Sequence, residues 1–411
     1  MTTGRALDAL NFFLADVRDG LGPYLAVYLL AAHNWDAGSI GVALAASGVA
    51  GLLAQAPGGM LVDALRARRG LIAVAAAIVA ATCIAVPLMP GFWPVLLSQV
   101  VSGAAASVFA PAIAALTLGV AGRAAFTRRT GRNESFNHAG NAFAAATAGG
   151  LSYFFGPIVV FWLLAIMAVL SIAAVLRIPA AAIDHDVARG LEAGGARAAS
   201  APSAWSALLA SRPLLVFAGC VALFHAANAA MLPLVGQKLA QTDAAQATAL
   251  MSVCIVAAQV VMVPMALLVG ARADTWGRKA LFLGGFCVLA ARGGLYTLSD
   301  DPFWLVGVQL LDGVGAGLFG ALFPIIVADL TRGTGHFSAA LGAIATAQGI
   351  GASLSVGAAG FIVVWGGYSM AFLVLAGIAV LGALVFWRMM PETSPDLTTA
   401  GSHARLSPKE A

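Results

Sequence analysis

Apolar residues fill most of this chain in stretches of about twenty, and short polar segments separate these stretches. A helix needs about 20 mostly apolar residues to cross the hydrocarbon layer of a membrane with every backbone group satisfied internally. Twelve stretches meet this requirement and predict twelve transmembrane helices. They run over residues 7–31, 38–62, 70–89, 92–121, 133–155, 157–176, 212–236, 247–270, 280–298, 303–331, 338–365 and 368–389.

Composition supports a protein that lies almost entirely within a membrane. Hydrophobic residues make up 61% of the chain and charged residues 10%, whereas a soluble domain carries about 25% charged residues. We therefore predict an all-α membrane protein.

The predicted helices divide into two groups of six. Residues 1–177 are expected to form an N-terminal six-helix bundle, and residues 212–390 a C-terminal one. Residues 178–211 are rich in Ala and Gly and are predicted to form a cytoplasmic linker. The tail, residues 391–411, is predicted to be disordered.

The distribution of Lys and Arg predicts the orientation of the helices, because short cytoplasmic loops are enriched in these residues. Most of the 22 basic residues fall on one side if the N-terminus is inside, and Lys238 falls in an outer loop. Both termini are therefore expected in the cytoplasm. The net charge of +4 is explained by this topology, so we expect no nucleic-acid partner.

Internal repetition indicates a duplicated chain. The segment Gly270-Ala-Arg-Ala-Asp-Thr-Trp-Gly-Arg-Lys279 has a degraded copy in Gly59-Met-Leu-Val-Asp-Ala-Leu-Arg-Ala-Arg-Arg69. Two further pairs of positions repeat at nearly the same spacing, and each links a span of the first half to a span of the second. They are Gln99 and Gly103 with Gln309 and Gly313, and Asp16 and Asp19 with His225 and Asn228. The agreement predicts two homologous halves.

Three charged residues interrupt the first predicted span, namely Asp16, Arg18 and Asp19. Each would cost about 2.5 to 3.5 kcal/mol if it faced lipid, so the cluster must face protein or water. Asp16 and Asp19 share a helix face and Arg18 lies off it. We expect Asp312 to be the partner of Arg18, and we expect Arg292 to reach the outer membrane surface.

Two interpretations of this cluster stay open. The charges either form a structural ion pair that fixes the first helix against its neighbours, or they bind a substrate or a proton. The second is favoured because intramembrane ionisable groups usually mark a transport pathway.

The repeated hinge segments resemble the signature loop of the major facilitator superfamily, which lies between the second and third helices of each half. The resemblance implies two pseudo-symmetric six-helix bundles around a central cavity lined by helices 1, 4, 7 and 10. The polar residues on these helices, together with one on helix 5, become candidates for substrate or proton binding. They are Asp16, Arg18, Asp19, Gln99, Asn137, His225, Asn228, Gln309 and Asp312.

The same resemblance implies a cytoplasmic gate at the hinge segments. In this gate Asp63 would act with Arg123, and Asp274 with Arg332. The first copy departs from the family pattern, because Arg66 occupies the place of the second glycine. The complete set of implied gating residues is Gly59, Asp63, Arg66, Arg123, Gly270, Asp274, Gly277, Arg278 and Arg332.

Together these features predict a secondary transporter of a small organic solute that works by alternating access, is coupled to H+ and exports its solute. A proton-coupled importer is the alternative. A membrane-embedded enzyme based on Gly351-Ala-Ser-Leu354 and a sensor without flux are remote alternatives. We expect a monomer in the plasma membrane, with the lipid bilayer as its surroundings and with no cofactor or metal.

Overall fold

The structure is a computed structural model, and it describes residues 2–19, 22–33, 35, 37–156, 158–191, 209–242 and 244–394. Residues 192–208 of the predicted linker and residues 395–411 of the predicted disordered tail lie outside this range, so both expectations stay predictions. Within the described residues there are helices, turns and loops and no strand.

Thirteen α-helices account for nearly all of the described residues. They are α1 Thr3–Asp19, α2 Gly22–His33, α3 Ala37–Ala64, α4 Arg68–Leu88, α5 Phe92–Ala106, α6 Phe109–Phe155, α7 Val159–Leu176, α8 Arg212–Asn228, α9 Met231–Thr242, α10 Ala244–Trp276, α11 Arg278–Leu295, α12 Pro302–Leu330 and α13 Phe337–Met389. Two short 3-10 turns, Ala180–Ala182 and Val187–Arg189, follow α7.

Two of these helices contain a sharp change of backbone direction at a glycine. Gly122 in α6 has φ 70° and Gly367 in α13 has φ 77°. Residues other than glycine rarely adopt this backbone conformation. The helices contain 47 and 53 residues, so at about 1.5 Å per residue each exceeds the roughly 30 Å hydrocarbon layer. Each glycine therefore divides its helix into two segments that run in different directions.

Eight helical stretches of the described chain are long and apolar enough to cross a membrane. The longest, Phe92–Ser152, contains 61 residues and includes the kink at Gly122. Large apolar side chains on these stretches point outward; Trp365 is 84% exposed and Phe303 is 79% exposed. Such surfaces suit contact with lipid rather than water. The number of twelve crossings stays a prediction.

The chain divides into two compact units. The first consists of Met1–Phe126, Phe136–Ala204 and Arg332–Thr346, and the second of Thr127–Ser135, Trp205–Thr331 and Ala347–Ala411. The first unit thus contains the beginning of α13, and the second contains a short piece of α6.

In the first unit α3 packs on α5, and α4 packs on α5 and α7. The two helices α3 and α5 come very close at Gly103, where a Cβ atom would lie less than 3.0 Å from the carbonyl oxygen of Ser47. Small residues allow helix backbones to approach in this way.

In the second unit α10 packs on α12, and α11 packs on α12. The helices α10 and α12 come very close at Gly313, where a Cβ atom would lie less than 3.0 Å from the carbonyl oxygen of Ala258. Gly103 and Gly313 are the repeated glycines of the sequence, so the same helix pairing recurs in both halves of the chain.

Candidate functional site

The first hinge segment places a carboxylate against the beginning of another helix. Asp63, at the end of α3, is 6% exposed. The backbone N–H groups of Ser338 and Ala339 donate to its two oxygens at 3.2 and 2.8 Å. These residues form the first turn of α13, where N–H groups have no partner within the helix and the helix dipole favours a negative charge.

Gly59 lies one turn before Asp63 and brings the two backbones together. A Cβ atom at Gly59 would lie less than 3.0 Å from the carbonyl oxygen of Ser338, and one at Gly342 would lie equally close to that of Gln55. The α3 and α13 backbones therefore touch, so Asp63 reaches the N–H groups of α13 without water between them.

In the second hinge segment, side chains bind the aspartate carboxylate in place of backbone N–H groups. Thr127 in α6 donates through its hydroxyl to Asp274 at 3.0 Å, and Arg278 donates to the same carboxylate at 2.9 Å. Arg278 is 3% exposed and also pairs with Asp329 at 3.1 Å. Arg278 thus holds Asp274 in place, and the pairing of Asp274 with Arg332 stays a prediction.

The two hinge contacts are copies of each other at a constant offset of 211 residues. The equivalent pairs are Gln55 and Ala266, Gly59 and Gly270, Asp63 and Asp274, Thr127 and Ser338, and Gly131 and Gly342. A Cβ atom at Gly131 would lie less than 3.0 Å from the carbonyl oxygen of Ala266, which repeats the contact of Gly342 with Gln55. Thr127 and Ser338 were missed by the sequence analysis, although the offset applied to the hinge partners points to them.

The remaining predicted gating residues surround these contacts. Gly277 precedes α11 with φ 89°, a conformation that favours glycine, while its counterpart Arg66 is exposed in the loop before α4. Arg123 donates to the carbonyl oxygen of Gly190. Arg332 is exposed on the loop before α13 and has an interaction partner.

Two short segments pack on the hinges, and neither contact is predicted from the sequence. Residues 178–191 follow α7, and there Arg68, which is fully buried, donates to the ring Nδ1 of His185 at 3.1 Å. After α13, Glu392 accepts hydrogen bonds from the N–H groups of Arg278 and Lys279 at 3.0 and 3.2 Å. Each hinge is therefore covered by the residues that follow the last helix of its half.

The predicted binding residues of the first half lie on α1, α5 and α6. Asp16 and Arg18 are half-buried in α1, and Asp16 has an interaction partner. The side chain of Asp19 lies outside the described part of the structure. Gln99 is buried in α5, and Asn137 is half-buried in α6 with an interaction partner.

In the second half the structure joins Gln309 and Asp312 directly. The side-chain amide of Gln309 donates to Asp312 Oδ2 at 3.0 Å, and Arg292 of α11 donates to Asp312 Oδ1. Arg292 is 1% exposed, so our expectation that it reaches the outer surface is wrong. Its carboxylate partner on the neighbouring helix keeps it inside, and the partner that the structure gives Asp312 is Arg292 rather than Arg18.

The other two predicted residues of this half lie near the end of α8. His225 is half-buried, its Nδ1 lies 3.2 Å from the carbonyl oxygen of Val221, and its ring centroid is 4.6 Å from that of Phe319. Asn228 is the last residue of α8 and is half-buried.

Long apolar helices, helix contacts repeated in both halves and a buried ion pair define a multi-pass helical membrane protein of the transporter class. Comparisons with known proteins then give the family. The profile of the Major Facilitator Superfamily matches residues 7–269 and 255–410. The chain is also 58% identical over 389 residues to the uncharacterized MFS-type transporters MT2531 and Rv2456c of two Mycobacterium tuberculosis strains, covering 95% of this chain and 93% of each relative.

Solved structures share the fold at low sequence identity. The transporter FucP in the outward conformation aligns with TM-score 0.75 and 14% identity over 95% of this chain and 99% of that one. A variant of the E. coli fucose:proton symporter FucP gives TM-score 0.75 and 13% identity over 94% and 98% of the two chains. A variant of the nucleoside transporter NupG gives TM-score 0.63 and 17% identity over 95% and 100%.

The chain belongs to the major facilitator superfamily. It is a transporter and not an enzyme, which removes the intramembrane enzyme among the remote alternatives.

Proposed function

We propose that the chain is a proton-coupled secondary transporter that exports a small organic solute by alternating access. Twelve membrane-spanning helices, arranged as two six-helix bundles with both termini in the cytoplasm, would carry this activity as a monomer in the plasma membrane. The observation that carries the proposal is the duplicated hinge contact, in which each hinge aspartate meets a residue of a helix that begins in the other half of the sequence.

These contacts are suited to a gate because each aspartate is held by a small number of direct hydrogen bonds. Asp63 uses two hydrogen bonds to the first turn of α13, and Asp274 uses Thr127 and Arg278. Charge-assisted hydrogen bonds of this kind are strong enough to hold one state and few enough to be broken in each cycle. We propose that the predicted gating residues close the cytoplasmic side when both contacts are made.

The solute and the proton are proposed to bind on the polar residues of the first, fourth, seventh and tenth spans. Asp16, Arg18 and Asp19 supply charged groups from the first half. Asp312 supplies one from the second half, where His225 and Asn228 add polar groups. Buried ionisable groups in a transporter are costly and usually serve the pathway.

Import is the second candidate for direction. It is favoured by the similarity in fold to a protein named as a fucose:proton symporter. Both directions are driven by the same proton gradient. An exporter moves the proton and the solute in opposite directions, whereas an importer moves them in the same direction.

The test begins with a thermal-shift screen of metabolites against the purified chain, followed by transport of the binding solute in inverted membrane vesicles. An exporter accumulates the solute when the vesicle interior is made acidic, and a protonophore abolishes that accumulation. An importer releases preloaded solute under the same gradient. Transport that ignores the pH gradient would contradict proton coupling.

A further inference from the structure

Residues 178–191, which we call the strap, follow α7 and lie against α4 and α6. The N–H of Asp184 donates to the carbonyl oxygen of Gly119 in α6 at 3.0 Å. A Cβ atom at Gly119 would lie less than 3.0 Å from the carbonyl oxygen of Asp184, so the two backbones touch. Arg69 of α4 donates to the carbonyl oxygen of Ile178. The strap is therefore bound to both helices.

The far end of the strap binds a loop from the second half of the sequence. The carbonyl oxygen of Gly190 accepts two hydrogen bonds, one from Arg123 of α6 and one from the N–H of Gly333 at 2.7 Å. Gly333 lies in the loop that leads into α13, the helix whose first turn binds Asp63. One backbone oxygen thus joins α6 to this loop, and the strap fastens the same helix that Asp63 holds.

Between these two attachments the strap depends on a neutral histidine. Arg68 of α4 is fully buried, and its Nη1 donates to Nδ1 of His185 at 3.1 Å. A guanidinium is always charged and only donates hydrogen bonds, so Nδ1 must accept. A protonated ring carries an N–H on both nitrogens. It would therefore place a donor and a positive charge against Arg68, and the contact would be lost.

The charges around His185 come from both sides of this contact. Arg68 of α4 and Arg66 of the loop before it disfavour a charge on the ring, whereas Asp184 and Asp186 of the strap favour one. Burial of the ring and the two arginines together lower the pKa of His185 from its ordinary value of 6.5. The ring is therefore neutral at neutral pH and takes up a proton in the mildly acidic range.

Covering a hinge does not require a histidine. The second hinge is covered by the residues after α13, where Glu392 accepts hydrogen bonds from the N–H groups of Arg278 and Lys279. That contact joins a carboxylate to backbone groups, and residues 390–394 contain no histidine. A contact that changes near neutral pH at one hinge alone points to a role beyond packing.

We propose that the strap is a pH-dependent latch on the first hinge, which fastens the loop before α13 while His185 is neutral and releases it when His185 is protonated. The proton is taken up from water and returned to it. Repulsion between the charged ring and Arg68 displaces the strap, so Gly190 no longer accepts from Gly333. The inference rests on the gate of the proposed function. It adds control of that gate by the pH on the side of the membrane where the hinges lie, whatever the solute.

The test measures release of the strap by hydrogen exchange at single amides in the purified full-length chain. The reporters are the N–H groups of Asp184 and Gly333, which bind α6 and the strap. Each rate is divided by the rate in His185→Gln at the same pH, which cancels the intrinsic pH dependence of exchange. Glutamine is neutral and keeps an acceptor oxygen for Arg68. We expect a ratio near one at about pH 8 and a several-fold higher ratio at about pH 5.5.

Two further variants check that His185 is the titrating group. His185→Arg carries a permanent charge and should give fast exchange at both pH values. His336→Gln removes a second histidine, in the loop before α13, and should keep the pH dependence of the wild type. Amides in the middle of α4 should stay slow in every variant, which separates release of the strap from unfolding.

The effect on the hinge is measured by maleimide labelling of Ser338→Cys in the chain without its four native cysteines. Ser338 is fully buried in the first turn of α13. At about pH 5.5 labelling should be several-fold faster with His185 present than in the His185→Gln background, and at about pH 8 the two should agree. Comparison at the same pH cancels the reactivity of the thiol.

An exchange ratio near one at both pH values would overturn the proposal, as would release of the strap without a change in the labelling of Ser338→Cys. Loss of the pH dependence in His336→Gln would overturn it too. None of these results depends on transport. If both measurements respond through His185 but no solute moves with a pH gradient, the proposed function fails and the latch stands. If transport is proton-driven and His185→Gln changes neither measurement, the proposed function stands and this inference fails.

Discussion

At the scale of single residues, the contact of Asp63 depends on its charge. Its carboxylate accepts two N–H groups at the positive end of α13, and both the hydrogen bonds and the helix dipole favour the ionised form. The amide of an asparagine in its place has one acceptor oxygen and no net charge.

Asp63→Asn should therefore loosen the first turn of α13. We expect the contact to weaken by about 1 kcal/mol, which is about a fivefold change in the population of the open contact. The measurement is maleimide labelling of a Ser338→Cys variant after replacement of the four native cysteines, because Ser338 is fully buried in the structure. Unchanged labelling in the double variant would mean that the charge of Asp63 is dispensable.

His185 responds to pH through its contact with Arg68. Because a guanidinium only donates, Nδ1 of His185 must accept, and the ring must be neutral. Burial lowers the pKa of His185 from its ordinary value of 6.5, and the neighbouring Arg68 and Arg66 lower it further, against the opposing effect of Asp184 and Asp186.

The effect of pH on stability follows from proton binding. The unfolded chain takes up a proton on His185 at a higher pH than the folded chain does. This contact therefore contributes fully to stability above about pH 6.5, and its contribution is lost as the pH falls below that value. The Tm of the wild type should fall more between about pH 7.5 and about pH 5.5 than that of His185→Gln. Parallel Tm curves for the two proteins would exclude His185 as the titrating group.

At the scale of helices, the hinge contacts depend on backbone approach. Gly342 and Gly357 both lie in α13, but a Cβ at Gly342 would collide with the backbone of α3, whereas one at Gly357 meets nothing within 4 Å. The two glycines therefore form a matched pair of test sites.

Gly342→Ala should destabilise the chain by about 1 to 3 kcal/mol, because the backbone oxygen of Gln55 cannot move aside as a flexible side chain can. Gly357→Ala should be neutral or slightly stabilising, since alanine is the better helix former. Thermal unfolding in detergent distinguishes them, and equal Tm values for both variants would argue against the close approach of α3 and α13.

The beginning of α11 depends on a residue that is distant in sequence. Its N-cap, Gly277, has no side chain to accept the first N–H groups, and Glu392 accepts two of them instead. The segment after α13 thus completes the second hinge.

Glu392→Ala should cost about 1 kcal/mol, the usual effect of removing a helix cap. The specific readout is hydrogen exchange at the amides of Arg278 and Lys279, which should quicken. Glu392→Gln, which keeps an acceptor, should quicken it less; equal exchange in all three proteins would show that the cap has no effect.

At the scale of the whole molecule, the sequence predicts the features that repeat and misses those that depend on one particular packing. Apolar stretches of helical length place the helices, and the offset near 211 residues identifies the paired hinges, because both patterns are carried by local sequence. The family prediction is confirmed by the profile match and by the mycobacterial relatives.

The sequence does not predict which charged residues pair with each other. Arg292 was assigned to the outer surface because its position late in a span allows its long side chain to reach the membrane boundary. Its buried partner Asp312 lies on another helix, and no periodicity within either helix reveals which faces meet. Glu392 and His185 were missed for the same reason, since each contacts a hinge from a loop far along the chain.

The two hinges use different chemistry at equivalent places, and this difference governs how their sequences can change among homologues. Asp63 binds the main-chain N–H groups of residues 338 and 339. Every amino acid except proline supplies such an N–H group, so a change of side chain at these positions keeps the hydrogen bonds. Asp274 binds the hydroxyl of Thr127, so that position tolerates serine or threonine and little else. Relatives should accordingly vary among small residues at the fully buried position 338 and retain a hydroxyl at 127.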